Sequence, residues 1–434
     1  MKQIRVFEGR ELQSTVPAKQ PRDFRCALPG KDFSGQRSMI TLDESFFSKH
    51  LMFLGGIGTG KSNTMYQVVK QIKQTLTPQD VMIIFDTKGD FLAEFGESKD
   101  IVISNDEHAR GKNGESDYWN LFNEIETGDR LEENITEIAK TLFYEKIQSS
   151  NQPFFPNAAK DIFAGILTFF CRAGEEMNNK ALRSFFDSCG VDVIREALKK
   201  QDDMAGIASY IEGEDSRQSQ GIISELQQLI REIFIGNFRK NGSLSMRQLV
   251  REKQGRTIFI EYDLGIGNML TPIYRLLFDM AIKEALSRGK SEGNVWLIAD
   301  EFRLIPHLQH VDNAVNFGRS LGVKMMIGVQ NVEQLFEVYG QERARSILSG
   351  FSSSFTFRLN DSASREFIKS LFGENRKMDT YSSSLGTKAI TEIINRAHVV
   401  EDWDIDRLDI GQAVVGLTGN EPFIFQFDEY MRTR

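Results

Sequence analysis

Between Gly55 and Ser62 the chain reads Gly-Gly-Ile-Gly-Thr-Gly-Lys-Ser, a glycine followed four residues later by Gly-Lys-Ser. That spacing is the signature of a phosphate-binding loop. Its glycines let successive backbone N–H groups face a phosphate chain, and the N-terminus of the following helix adds partial positive charge. In this chemistry Gly55, Gly58, Thr59, Gly60, Lys61, Ser62 and Asn63 line a nucleotide, Lys61 reaches its β- and γ-phosphates, and the Ser62 hydroxyl is a magnesium ligand. The competing explanation is an ordinary glycine-rich turn. Context separates the two: the run follows the apolar "LMFL" at 51–54 and precedes the helix-compatible "SNTMYQVVKQIKQTL", as a phosphate loop requires.

A magnesium shell needs a carboxylate, and "NVWLIADEF" offers one. Asp300 closes the apolar run at 295–299, which places it at the C-terminal edge of a sheet, where ligands of α/β proteins bind. Glu301 follows it, suited to orient or deprotonate an attacking water. The Asp-Glu pair predicts hydrolysis rather than binding alone. Asp86 and Lys88 in "FDTKGD" end another apolar run, and either touch the same site or form an Asp-Lys-Gly turn.

These residues need a sheet to position them. Apolar or β-branched runs predict strands at 51–54, 81–86, 257–262, 295–300, 324–329 and 354–359, most followed by helical periodicity, the pattern of a parallel sheet wrapped by helices. Runs at 412–417 and 423–427 predict a closing hairpin across Thr418-Gly419-Asn420. About 170 residues separate Asp86 from Thr257, too many for one crossover connection. Within them Leu131, Ile135, Ile138 and Leu142 recur at helical spacing, as do Ile162, Phe163, Ile166 and Phe170, and later Ile222, Leu226, Leu229 and Ile233.

The expected organisation is therefore an α/β nucleotide-binding domain at 51–125 and 252–434, an all-helical insertion at 126–251, and a small β-rich flank at 1–50. The polar stretch 213–221 reads as a loop before the last inserted helix. Strand candidates lie between the loop strand and the Asp-Glu strand. An extra strand between those two is the RecA-like arrangement rather than that of the small GTPases, so the expected nucleotide is ATP with Mg2+.

Composition narrows the function classes. The chain has 434 residues, 40% hydrophobic and 26% charged, ample for a packed core. Its longest apolar stretch, at 162–171, falls far short of the roughly 20 residues that span a bilayer. Neither a signal nor a transit peptide is read at the N-terminus, so the expected location is cytoplasmic. Cys26, Cys171 and Cys189 lie at unrelated spacings, and His307 and His310 read as packing or surface residues rather than metal ligands. A net charge of −8 argues against a generally basic nucleic-acid-binding surface. A ring-shaped motor needs only a positive channel.

The blocks "HLMFLGGIGTGKS", "MIIFDTKGDF", "YWNLFNEI", "VWLIADEFRLIPHLQHVDNAVNFGRSLGVKMMIGVQNVEQL" and "DIGQAVVGLTGNEPFIFQF", in that order, resemble the cytosolic part of type IV secretion coupling proteins, the TraD/TraG-type conjugation ATPases of the FtsK/HerA superfamily. The resemblance covers about residues 45–434 and is specific in these blocks. It implies a RecA-like P-loop ATPase domain with an inserted all-α domain, and a homo-hexamer with ATP between subunits that can be monomeric in isolation. DNA, single-stranded and carrying a relaxase, would pass through the ring to a secretion channel. Residue by residue, Lys61, Ser62, Asp300 and Glu301 match the two nucleotide motifs, Gln330 matches the glutamine that senses the γ-phosphate, and Arg319 resembles the arginine finger offered to a neighbour's ATP.

Coupling proteins usually begin with two membrane helices, which are not seen here; the resemblance then implies recruitment to the inner face of the membrane by a separate membrane component, or a soluble relative. Channel contacts to DNA would come from residues such as Lys160, Arg172, Lys180, Arg183, Lys199 and Lys200. The alternatives are an ATP-driven protein-export motor and a nucleotide-dependent assembly or defence ATPase.

Overall fold

The computed structural model describes residues 2–106, 117–174, 176–213, 215–287, 293–382 and 390–432. Its strands are β1 (Lys2–Glu8), β2 (Cys26–Asp32), β3 (Arg37–Leu42), β4 (Leu51–Leu54), β5 (Val81–Asp86), β6 (Ile101–Ile103), β7 (Thr257–Glu261), β8 (Val295–Ala299), β9 (Val323–Val329), β10 (Ser353–Thr356), β11 (Glu374–Ser382), β12 (Ile390–His398), β13 (Gln412–Gly416) and β14 (Phe423–Phe427). The helices that matter below are α1 (Lys61–Gln74), α2 (Asp90–Phe95), α3 (Leu131–Leu142), α4 (Phe154–Ala173), α5 (Arg217–Ile233), α6 (Gly267–Leu286) and α7 (Val311–Phe317). Two compact units result, one formed by 1–82, 289–307 and 311–434, the other by 83–288 and 308–310.

In the first unit the strand order is β3-β2-β14-β13-β10-β4-β9-β8. β10, β4, β9 and β8 run parallel, and every residue of these four strands is buried. Strands covered on both faces lose the polar alternation of a half-exposed strand and read as continuous apolar runs. The expected hairpin of β13 and β14 extends this block antiparallel, and β2 and β3 complete it. The α/β, RecA-like expectation is borne out, because β9 lies between the phosphate-loop strand β4 and the Asp-Glu strand β8.

Register fixes the edge. Leu54 pairs with Val329, and Ala299 pairs with Ile327, so Gly55, Asp300 and Gln330 leave three neighbouring strands at the same end. The opposite end of β8 is pinned by Asp80, which is 2% exposed. One carboxylate oxygen of Asp80 accepts from the Thr77 N–H and hydroxyl at 2.9 Å each, the other from the Asn294 backbone N–H at 2.7 Å, and Arg25 stands 3.6 Å away.

Two features depart from expectation. β11 and β12 pair along their whole lengths, with β1 on the far side of β11, where no strand is predicted between 359 and 412. Their sequence is polar, Arg376 faces Arg396 across the ladder, and both of the neighbouring β12 residues Ile393 and Ile394 are exposed. No apolar face announces them. β2 carries Pro29 and Gly30, residues that weaken a strand assignment.

The second unit holds β5, β7 and β6 in that order, with β6 and β7 parallel, and a helical segment. The helical periodicities become buried faces: Ile135, Ile138 and Leu142 on α3, Ile162, Phe163 and Ile166 on α4, and Ile222, Leu226, Leu229 and Ile233 on α5 are all at most 3% exposed. α5 starts inside the stretch expected as a loop, since the Ser216 hydroxyl accepts from the Ser219 N–H and caps the helix at Arg217.

Removing the Asp80 carboxylate leaves the Thr77 and Asn294 donors without their acceptor and takes one of its partners from Arg25. Asp80→Ala is expected to lower stability by about 3 kcal/mol, read as a reduced midpoint in urea unfolding with an unchanged slope.

Candidate functional site

The phosphate loop sits between β4 and α1. Gly58 and Gly60 adopt φ of +73° and +108°, conformations that cost a side-chain-bearing residue about 1–2 kcal/mol. A Cβ on Gly60 would also stand 2.7 Å from the Gly411 Cα. The loop is braced from three sides: Gly55 N–H donates to the Val329 carbonyl (3.0 Å), Gly56 N–H to Arg358 (3.1 Å), and Gly411 N–H to Thr59 (2.8 Å). Thr59 donates its hydroxyl to the Gly56 carbonyl at 2.8 Å, so its side chain shapes the loop. α1 then begins at Lys61, and its first-turn N–H groups have no partner within the helix. These N–H groups form an anion-binding position with the loop.

Ser62 and Asp300, 238 residues apart in sequence, meet directly: the serine hydroxyl donates to Asp300 Oδ2 at 2.8 Å. Asp300 Oδ1 is buried and makes no hydrogen bond. A hydroxyl and a carboxylate side by side, with one carboxylate oxygen unsatisfied, are the hard oxygen ligands Mg2+ prefers, so the residues present fit that ion. β9 makes room for this carboxylate. A Cβ on Gly328 would lie 2.0 Å from the Asp300 carbonyl oxygen and 3.0 Å from Oδ1.

Glu301 lies next to this pair. Its side chain is 12% exposed, with Oε1 accepting from Arg303 Nε at 3.1 Å and Oε2 accepting from the Gln330 amide. Burial raises the Glu301 carboxyl above its ordinary range, and the charges of Lys61 and Arg303 oppose the rise. Lys61 itself is 7% exposed. Lys61, Ser62, Asp300, Glu301 and Gln330 thus come together at one sheet edge.

The other expected residues divide. The Asn63 side chain faces the C-terminal segment, donating to the Asp428 carbonyl at 3.0 Å and accepting from the Tyr430 N–H at 2.6 Å; its backbone N–H is what remains for a nucleotide. Arg319 is exposed in a 3₁₀ turn closed by Gly322, which has φ +77°. Among the described residues it has no ion pair. Asp86 accepts from the Lys88 and Leu92 N–H groups at 3.3 and 2.9 Å, the turn arrangement that leads into α2, and burial raises its pKa.

Of the expected DNA contacts, Arg172 is bidentate to Asp203, Arg183 pairs with Asp187, Lys160 with Asp161 and Lys199 with Glu196. Among the described residues only Lys180 and Lys200 of that set are exposed without such a partner. Sequence reasoning missed Arg303, whose position two residues after Glu301 was a usable signal. It also missed Gly328 and Gly411, whose roles exist only through contacts distant in sequence.

Residues 37–418 match the protein family described as the type IV secretion-system coupling protein DNA-binding domain. The chain is 21% identical over 382 residues to coupling protein TraD of Escherichia coli K12, covering 86% of this chain and 50% of TraD. It is 21% identical to the type IV secretion system-coupling protein VirD4 of Bartonella quintana, covering 72% and 51%. The chain thus spans about half the length of these curated relatives. Among solved structures, the bacterial conjugative coupling protein TrwBdeltaN70 superposes with a TM-score of 0.76 at 20% identity, covering 95% of this chain and 90% of that one. TrwB in complex with ADP and Mg2+ superposes at 0.74 with 18% identity, covering 99% and 96%. The α/β fold with its helical segment is the fold of these structures.

Gly328→Ala forces Asp300 away from Ser62, and a displacement of about 1 Å at a reacting site can cost about 100-fold in rate. The expected outcome is a loss of that order in phosphate release from ATP with the far-ultraviolet circular dichroism spectrum retained.

Proposed function

We propose, because the chain belongs to the type IV secretion-system coupling protein family, that it hydrolyses ATP to move DNA toward a conjugative secretion channel. The observation that carries this reading is the Ser62–Asp300 hydrogen bond, with Glu301 and Gln330 joined beside it. A phosphate loop alone would support binding. A largely enclosed glutamate following Asp300 in the chain adds a base for water.

In this reading the loop N–H groups and Lys61 hold the phosphates, and Ser62 and Asp300 hold Mg2+. The ion, when bound, supplies charge neutralisation at the β- and γ-phosphate oxygens. Glu301, lifted by burial toward higher proton affinity, takes the proton of the attacking water. Gln330 donates to that carboxylate, and its amide is the group that reports loss of the γ-phosphate. Arg319 has no ion pair among the described residues and is exposed, as a residue serving the site of another copy must be. Arg319 of the partner subunit then completes the site, in a homo-hexamer that assembles for turnover.

The helical segment 126–251 is the proposed inserted domain, and single-stranded DNA with its bound relaxase the proposed cargo. Lys180 and Lys200 are its first candidate DNA contacts. No helix among the described residues is long and apolar enough to cross a membrane, and a separate component at the inner face of the membrane is the proposed docking partner.

The primary test is steady-state ATP turnover with and without single- and double-stranded DNA across protein concentrations, with Glu301→Gln as the blank. Stimulation by DNA that rises more than linearly with protein is expected. A rate proportional to protein and indifferent to DNA would reject the DNA motor and favour protein cargo or an assembly switch. Arg319→Ala should reduce turnover by about 1,000-fold while leaving binding of a fluorescent ATP analogue intact; lost binding would show a structural arginine.

The acid limb of turnover follows from Glu301. Only the carboxylate can accept the proton, and burial raises its pKa, so turnover should fall on acidification with a midpoint above the roughly 4.3 of an unperturbed glutamate. A midpoint at or below that value would remove Glu301 as the base.

A further inference from the structure

Glu301 and Arg319 are joined by a short stretch of chain whose middle is tied to the helical segment. Residues 289–307 and 311–434 cluster with the first unit, but 308–310 cluster with the second. The tie is built from buried groups. Asp279 on α6 is 1% exposed, and its carboxylate accepts from the Gln309 N–H at 3.0 and 2.8 Å and from the His310 N–H at 3.1 Å. The Gln309 amide donates to the Thr141 hydroxyl of α3 at 2.7 Å, and His310 Nε2 lies 2.6 Å from Glu137 Oε1, also on α3.

Lys283 of α6 pairs with the same Glu137 and, at 2.9 Å, with Glu133. The sequence before α7, Leu308-Gln309-His310, provides no Ser, Thr, Asp or Asn of its own to take these N–H groups. A carboxylate from a helix about thirty residues earlier does so instead. Leu308 is fully buried at this point. The connection is therefore a fixed point on the second unit, seven residues after Glu301 and nine before Arg319 in the chain.

We propose that Asp279 and His310 are positioning residues that couple the helical segment to Glu301 and Arg319, so that a ligand on those helices sets the rate of hydrolysis and a nucleotide at the loop alters those helices. The inference rests on the functional reading above for the identity of the ligand, DNA, and on the geometry alone for the coupling itself.

The charged groups acting on His310 are Glu137 of α3 and Asp279 and Lys283 of α6. Burial disfavours the imidazolium, but the hydrogen bond it donates to Glu137 and the charge of Asp279 outweigh it and hold the His310 pKa above its usual value. Burial raises Asp279 to about 6. The sign follows for His310: the charged pair with Glu137 is fully present below about 6.5, the unperturbed value, and is lost as pH rises through the raised one.

The experiment compares the wild type, His310→Gln, His310→Lys and Asp279→Asn in two readouts. In the first, His310→Gln should lower the ratio of DNA-stimulated to basal turnover by about fivefold or more with KM for ATP unchanged. His310→Lys, which keeps a cation for Glu137, should restore it. The wild-type ratio should decline as pH rises above about 6.5, and the lysine variant should not show that decline. In the second, hydrogen exchange at 131–142 and 267–286 should respond to a non-hydrolysable ATP analogue in the wild type and lose that response in His310→Gln and Asp279→Asn.

Exchange that responds to nucleotide and depends on His310, in a chain that DNA fails to stimulate, would uphold the coupling and reject DNA as the ligand. Exchange indifferent to nucleotide in the wild type would overturn the inference. So would His310→Gln and Asp279→Asn variants that keep both full stimulation and the exchange response.

Discussion

The hydrogen bond between Ser62 and Asp300 spans 238 residues of sequence, and the nucleotide unit is arranged so that it can form. β4 delivers the loop, β8 delivers the carboxylate, and β9 between them must keep both in register while leaving space at Gly328 for the Asp300 backbone. A one-residue slip in a sheet sends every side chain to the opposite face. The all-buried character of these strands resists such a slip, because either face would then lose its packing. The same register brings Gln330 to Glu301 at no further cost in sequence.

Burying ionisable groups is unfavourable unless they are partnered, and the site concentrates several of them. Lys61, Asp300 and Glu301 lie within one another's fields, and Glu301 uses both oxygens, one toward Arg303 and one toward Gln330. Asp300 alone keeps a buried oxygen unsatisfied, a cost that a bound cation would remove. Elsewhere the net charge of −8 is expressed as ion pairs that occupy most of the basic residues on the helical segment. Of the basic residues considered for DNA contact, only Lys180 and Lys200 are exposed without an acidic partner among the described residues.

What was legible depended on how each element is stabilised. The buried parallel strands announced themselves as short apolar runs, and β4, β5 and β14 were placed at their observed bounds. The helices of the second unit showed their periodicity because one face of each is buried. β11 and β12 did not, because their sequence is largely polar, and a ladder held by backbone hydrogen bonds and pairs such as Glu8 with Arg376 and Glu374 with Arg396 leaves no hydrophobic pattern. The start of α5 was misplaced because a serine in a polar stretch serves equally as loop or as cap.

The sequence by itself determined which chemistry is available: the loop spacing at 55–62, the Asp-Glu pair after an apolar run, and the glutamine after another are local patterns. Local patterns suffice for them because a strand end and a glycine loop are built from neighbours along the chain. Only the tertiary structure decided that Asn63 turns to the C-terminal segment, that Gly411 braces the loop, that Arg172 is engaged by Asp203, and that Asp279 holds the chain between Glu301 and Arg319. Each of these is a contact between residues far apart or on different elements. Hydrogen bonds and ion pairs act over a few ångströms of space and carry no trace of the sequence distance they close.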